Sequence, residues 1–219
     1  MLARYHPAAM QNLRALLTGL LLVLPAAAGA ADLDGARKPI DQLYAVLIDC
    51  LKNADALGLE GRRVKIAPAV AAGYDLPFMA EKILGRHWRE LPETDHARWT
   101  DAFGRLTVAT YAERMTGFSG QRFEVLKIEP SQRGTAVVYT QVVTPNEAPI
   151  AINYRMRETG DGWRIIDVYL NGTVSELALR RSEYAAVLQR DGFAKLVASI
   201  DQKIVAGQMA GEDPPAAPR

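Results

Sequence analysis

The sequence is poor in the residues that build covalent staples and metal centres. It holds a single cysteine, Cys50, and three histidines among 219 residues. One cysteine cannot close a disulfide within the chain, so stability must come from an ordinary hydrophobic core, which this length permits. His87 and His96 stand on different predicted elements, with no cysteine or carboxylate at metal-ligand spacing. A surface or capping role is expected for each, and no metal. The two charge signs nearly cancel, 26 basic residues against 25 acidic. No basic field exists to hold nucleic acid or an anionic membrane. No apolar run reaches the roughly 20 residues of a membrane span. A glycine-rich phosphate loop is missing. Gly117-Phe118-Ser119-Gly120-Gln121 fails as a nucleophile elbow, because Gln121 stands where the second glycine is needed and a helix precedes it.

What is present begins with an address. Arg4 and Arg14 precede the short apolar run Ala15–Leu24; Pro25 breaks it, and Ala28-Gly29-Ala30 supplies small residues for cleavage. This is the pattern of a secretory signal peptide over residues 1–30. No cysteine follows, which argues against a lipoprotein anchor. Removal leaves 189 residues, enough for one domain, expected over 31–207, with a disordered tail over 208–219 rich in proline and alanine.

Within that domain the period of the apolar residues changes twice. Ile40, Leu43, Tyr44, Leu47, Ile48 and Leu51 mark one face of a helix over Arg37–Leu57, closed by Gly58. Cys50 falls on that stripe and reads as a buried, inert thiol. A less distinct helix ends near Gly73. Asp75 caps another, with Pro77 in its first turn and Gly85 at its end. Thr94 and Asp95 open a longer one, with Trp99, Phe103, Leu106 and Thr110 on one face and Gly117 and Gly120 beyond it. From Arg122 the period becomes two: strands over Arg122–Glu129, Thr135–Val143, Ile150–Arg157 and Trp163–Leu170, joined by short turns. In the third, Ile150, Ile152, Tyr154 and Met156 alternate with the wetter Ala151, Asn153, Arg155 and Arg157. Helix returns with Ser175 as N-cap and Gly192 as stop, then a last amphipathic helix carries Phe193, Leu196, Val197, Ile200 and Ile204. The fold class is α+β: N-terminal helices, a four-stranded curved antiparallel sheet of the NTF2-like kind, and C-terminal helices, with the helices gathered over one sheet face.

Catalytic traces are few. Asp167 is the one acid inside an otherwise apolar strand. A buried carboxylate there could serve as a base; a structural acid bonded to an arginine or to backbone amides is the commoner arrangement.

Several segments together resemble one family. Leu84-Gly85-Arg86-His87-Trp88 is similar to its Leu-Gly-x-x-Trp; Phe103 through Thr110-Tyr111-Ala112 to the helix that follows; Gly162–Val168 and Asn171–Ser175 to its Trp-Lys-Ile-x-Asp-Val and Gly-Val-Ser stretches. Tyr184, Leu188 and Gly192–Leu196 continue the match, which runs from about residue 36 to 205. The set resembles the MlaC family of toluene-tolerance, or ABC-transporter auxiliary, proteins. Ala178–Tyr184 departs from the usual motif and is more similar to the hopanoid-associated HpnM branch. The resemblance implies a periplasmic shuttle that carries a phospholipid or hopanoid in an apolar cavity, needs no cofactor, and partners a membrane-anchored lipid transport complex. By alternation, Val138, Val142, Ile152, Tyr154 and Met156 are the candidate sheet wall; Phe78, Met79, Ile83, Phe103, Leu106 and Met115 are the candidate helical wall. Two other readings stay open: an isomerase- or dehydratase-type enzyme with Asp167 as base and Tyr139 or Tyr154 as donor, and a transporter adaptor with a solid core. Arg180-Arg181 either docks a partner or lies on a solvated helix face.

Overall fold

The computed structural model describes residues 33–207. The expected signal segment and tail lie outside the described residues. Helix α1 (Arg37–Lys52) buries the predicted stripe, with Ile40, Leu43, Leu47 and Cys50 shut off from solvent. It stops five residues short of the expected Leu57, because the Asn53 amide turns back and donates to the Asp49 carbonyl at 2.9 Å and to its carboxylate at 2.8 Å. Helix α2 (Ala54–Gly73) follows at once and is kinked at Gly58, whose φ of 59° is left-handed. The expected stop at Gly58 is thus a break inside a longer helical stretch, since glycine adopts this φ without strain. Helix α3 (Leu76–Leu84) is capped as expected: the Asp75 carboxylate accepts from the Phe78 N–H at 3.2 Å. Helix α4 (Glu93–Arg114) opens beside the expected Thr94, the Pro92 carbonyl accepting from the N–H groups of Asp95 and His96.

The sheet is an antiparallel meander in the order β1-β2-β3-β4-β5. Its strands are β1 (Arg122–Ser131), β2 (Thr135–Val143), β3 (Ile150–Thr159), β4 (Gly162–Leu170) and β5 (Val174–Ser175). The first reversal is later and tighter than expected. Pro130 stays in the edge strand opposite Ala136, and Arg133 and Gly134, both at positive φ, make the turn. The short β5 was not visible in the alternation, because two residues carry no period. It pairs with Tyr169 and Leu170 and ends on Ser175. The Ser175 hydroxyl accepts from the Ala178 N–H at 3.0 Å and so caps α5 (Glu176–Asp191). Helix α6 (Phe193–Ala206) closes the described chain.

The core lies between the helices and one sheet face, where Ala136, Val138, Tyr154, Met156 and Ile165 meet Ile40, Tyr44, Met79, Ile83 and Leu106. Asn153, assigned by alternation to the wet face, is buried at 7% exposure. The cause is local. The β2–β3 ladder opens between Val138↔Tyr154 and Gln141↔Ala151, and Asn153 fills the gap, accepting from the Thr140 N–H and donating to the Gly172 carbonyl. Among the described residues no helix is long and apolar enough to cross a membrane.

Candidate functional site

An enclosed slot lies between α3, α4, α5 and the β3–β4 end of the sheet. Its apolar wall comes from Met79 and Ile83 of α3, Phe103 of α4, Ile152 of β3, and Val168 and Leu170 of β4. Register explains the sheet side: Ile152 stands opposite Leu170 and Tyr154 opposite Val168, so all four face the helices. The free space is about 50 Å³, far below the roughly 300–1,000 Å³ of ligand-sized pockets. A lipid chain can enter only if the helical wall parts from the sheet.

The other candidate residues lie around this slot. Leu106, Met115, Val138, Tyr154 and Met156 are packed in the core behind it. Phe78 is half-buried at the surface, its ring 4.2 Å from the Arg157 guanidinium and 5.0 Å from the Lys82 amine. Val142 is half-buried near the far end of β2.

Sequence reasoning missed the polar part of the wall. Thr107, Thr110, Tyr111 and Arg114 project from α4 into the slot or its mouth, joined by Tyr74, Glu176, Leu177 and Arg180. A signal was available for α4, because Thr107, Thr110, Tyr111 and Arg114 recur at helical spacing beside Phe103. Arg114 is exposed at the rim. Arg180 departs from both readings given to it: it is 6% exposed, donating to the Tyr184 hydroxyl at 2.9 Å and paired with Glu176 at 3.4 Å. Tyr184 is pushed up to about 12 by its burial, so the hydroxyl accepts as a neutral phenol.

Buried hydroxyls cluster behind the slot. Tyr74 and Tyr111 meet at 2.5 Å, Tyr44 meets Thr140 at 2.5 Å, and the Tyr44 ring lies edge-on to Tyr154 with centres 5.9 Å apart. Burial pushes Tyr44 up to about 12 and the other three tyrosines well above their ordinary range. All four therefore keep their protons in the physiological range. Tyr44 also stacks on Phe123 at 4.6 Å, tying α1 to β1.

Asp167 is a fastener between β4 and α5. One carboxylate oxygen accepts from the Val168 and Leu177 N–H groups at 2.8 and 3.1 Å; the other accepts from the Ser175 hydroxyl at 2.7 Å. Burial raises its pKa, against the pull of these donors. It is absent from the wall of the slot, and Tyr139 lies under Lys127, 4.5 Å away. The expected result for Asp167→Asn is unchanged lipid loading, since the amide oxygen still accepts from both N–H groups. Asp167→Ala should cost about 1–3 kcal/mol in urea denaturation, the price of orphaned buried donors. Loss of loading in a folded Asn variant would return Asp167 to the site.

A larger hollow of about 890 Å³ lies between α2 and α4, bordered by Val64, Ala67, Ala71, Gly104 and Val108. It is an open groove on the outer side of the helices. Trp88 and His96 stack at one end of it, their ring centres 3.8 Å apart, and the His96 ring is held by the Trp88 carbonyl and Glu93. The slot against the sheet is the better candidate for a buried apolar ligand, because it is walled on several sides, its buried Arg180 is paired with Glu176, and Arg114 stands exposed at its mouth.

Comparison with known proteins agrees with this geometry. The family model described as MlaC protein matches residues 41–202. Seven solved chains match. One is a phospholipid-binding protein from Ralstonia solanacearum, solved in complex with a phospholipid. It is 20% identical, with a TM-score of 0.68 over 80% of this chain and 98% of that one. At this identity the likeness is one of fold. No functionally curated protein matches the chain.

Proposed function

The chain belongs to the MlaC family, and from that premise we propose that it is a periplasmic lipid carrier, exported by a signal peptide cleaved near Ala30, whose domain over 31–207 takes up one lipid between helices and sheet. The observation that carries this reading is the slot itself: apolar walls from α3, α4, β3 and β4, with Arg114 at the mouth. Exposing a lipid chain to water costs about 0.8 kcal/mol per methylene, so transfer between membranes needs a shielded container. An arginine at the rim suits an anionic headgroup, its fork of donors matching phosphate oxygens. MlaC-family proteins are transport components, and no bond is made or broken here.

The cargo is a phospholipid or a hopanoid. The Ralstonia protein's bound phospholipid supports the first; the Ala178–Tyr184 stretch, with its likeness to the HpnM branch, supports the second. The partners are a membrane-anchored lipid-binding subunit and its ABC transporter. Near-neutral net charge lets the loaded carrier leave either membrane. Native mass spectrometry of the protein purified from its own periplasm, with lipid analysis of the solvent extract, tests this. A stoichiometric lipid is expected. An empty protein from native and lipid-enriched cells alike would refute the carrier and leave the adaptor reading.

A further inference from the structure

The helical layer does not cover the whole sheet. In an antiparallel ladder, paired residues share a face. Ile152 pairs with Leu170 and Leu170 with Val174, so Val174 faces the slot side. Ile150 lies two residues before Ile152 and shares its face. It pairs with Val142, which pairs with Phe123, whose ring stacks on Tyr44 of α1. The apolar wall of the slot therefore runs on to the surface, where Ile150 is 48% and Val174 41% exposed. The α4–β1 connection stands at the same end. It begins after Arg114, exposed at the mouth, and carries Phe118, 45% exposed, with the Lys52 amine 5.4 Å from its ring centre. Gly120 packs this connection against the β2–β3 loop, so closely that a Cβ there would stand 2.9 Å from the Pro145 ring. One end of the molecule thus presents three uncovered apolar side chains from three segments, together with the cations Lys52 and Arg114. Of the carboxylates at this end, Glu176 is paired with Arg180 and Glu124 with Arg122, and Glu147 stands on the β2–β3 loop.

Resting on the carrier reading above, we infer that this end docks directly and transiently on an anionic bilayer surface. Phe118, Ile150 and Val174 dip into the interface, and lipid passes between bilayer and slot across Ile150. Three anchors are far fewer than the roughly 20–30 residues a side of a stable protein interface. They suit a bilayer, where each apolar side chain withdrawn from water contributes by itself and cations meet lipid phosphates. Lys52 keeps its stem beside the Phe118 ring and its charge at the level of the phosphates. Two cations are no basic field, so the contact is brief, in keeping with the near-neutral net charge. The continuous apolar path matters because the chain then never lies in water while it changes hosts.

The test measures uptake of a fluorescent phospholipid by the purified protein, with no other protein present. The lipid is offered from dilute detergent, or from vesicles of phosphatidylglycerol and phosphatidylcholine in equal parts. Uptake from both is expected. Changing Phe118, Ile150 and Val174 together to serine should leave detergent loading intact and slow uptake from vesicles about tenfold or more, the combined worth of three partly buried apolar side chains. Leu126→Ser is the same kind of change on edge strand β1, where the side chain is 57% exposed, and should slow neither. Lys52→Glu should slow uptake from these vesicles more than from vesicles of phosphatidylcholine alone. Loading from detergent with none from vesicles would overturn the inference, leave the carrier intact and assign the mouth to a protein partner. So would vesicle uptake that stays normal in the triple variant or, should that variant lose detergent loading too, in Lys52→Glu. Slowing by Leu126→Ser as great as by the triple change would overturn it as well. No loading even from detergent would refute carriage of phospholipid, and this inference with it.

Discussion

Replacing Trp99 with alanine is expected to remove about 4–6 kcal/mol of stability, a large share of the roughly 5–15 kcal/mol that holds a typical domain together. Trp99 is fully buried, and its indole N–H donates to the Ala80 carbonyl at 3.1 Å. Its ring meets Tyr184 edge-on, with centres 5.6 Å apart. One side chain thus ties α4 to both α3 and α5. Truncating a buried tryptophan costs about 3–5 kcal/mol in lost transfer and cavity terms. The Ala80 carbonyl, left without its donor, adds about 1 kcal/mol. Trp99→Phe, which keeps most of the volume and loses only the N–H, should cost less than half as much. Urea denaturation followed by circular dichroism measures both. A loss below about 1 kcal/mol for the alanine variant would mean that the helices are held together elsewhere.

The second large effect is on loading. Ile152→Trp should leave a folded protein that carries roughly a tenth of the normal lipid or less. Ile152 is half-buried on the wall of the slot, so an indole can grow into space that a ligand would otherwise claim. Leu106→Trp is the contrasting change. Leu106 is 1% exposed in the packed core, where added volume forces strain of about 1–3 kcal/mol. The pair separates a fillable slot from a solid interior: bound lipid is counted by native mass spectrometry and the melting temperature is taken alongside. Normal lipid content in a well-folded Ile152→Trp protein would place the ligand elsewhere, and the outer groove between α2 and α4 would be the next place to look.

The elements were legible where a period ran long enough to register. The stripe on α1 and the alternation of β3 each span several repeats, and the caps at Asp75 and Ser175 are chemically specific. The end of α1 was not legible, because Asn53 stops it through a side-chain bond and the next residues are themselves helix formers. The wall of the slot was half legible. Met79, Ile83, Phe103 and Ile152 could be chosen by periodicity, but nothing in periodicity separates them from Leu106 or Met156, which share the same faces and lie deeper. Arg180 was misread because a charged residue in a helix is normally solvated; only its partners Tyr184 and Glu176 explain its burial. The hydroxyl pairs were invisible, since Tyr74, just after α2, meets Tyr111 of α4 and Tyr44 of α1 meets Thr140 of β2 across long separations, and a tyrosine in a core pattern looks like any other aromatic.

The borders of the sheet have a consequence for the encounters that the proposed function requires. At one border, β1 carries Pro130, a register shift between Val125 and Lys127, and the alternating charges Arg122, Glu124, Lys127 and Glu129. At the other, the two-residue β5 covers only the end of β4. The rest of β4 is closed by the end of α2, where the Asp75 N–H donates to the Ile165 carbonyl and Arg164 donates to the Ala71 and Ala72 carbonyls. Neither border offers a long flat row of free amides to a neighbouring strand. The protein at high concentration is thereby protected from polymerising edge to edge, and its encounters are left to side-chain surfaces, which can let go.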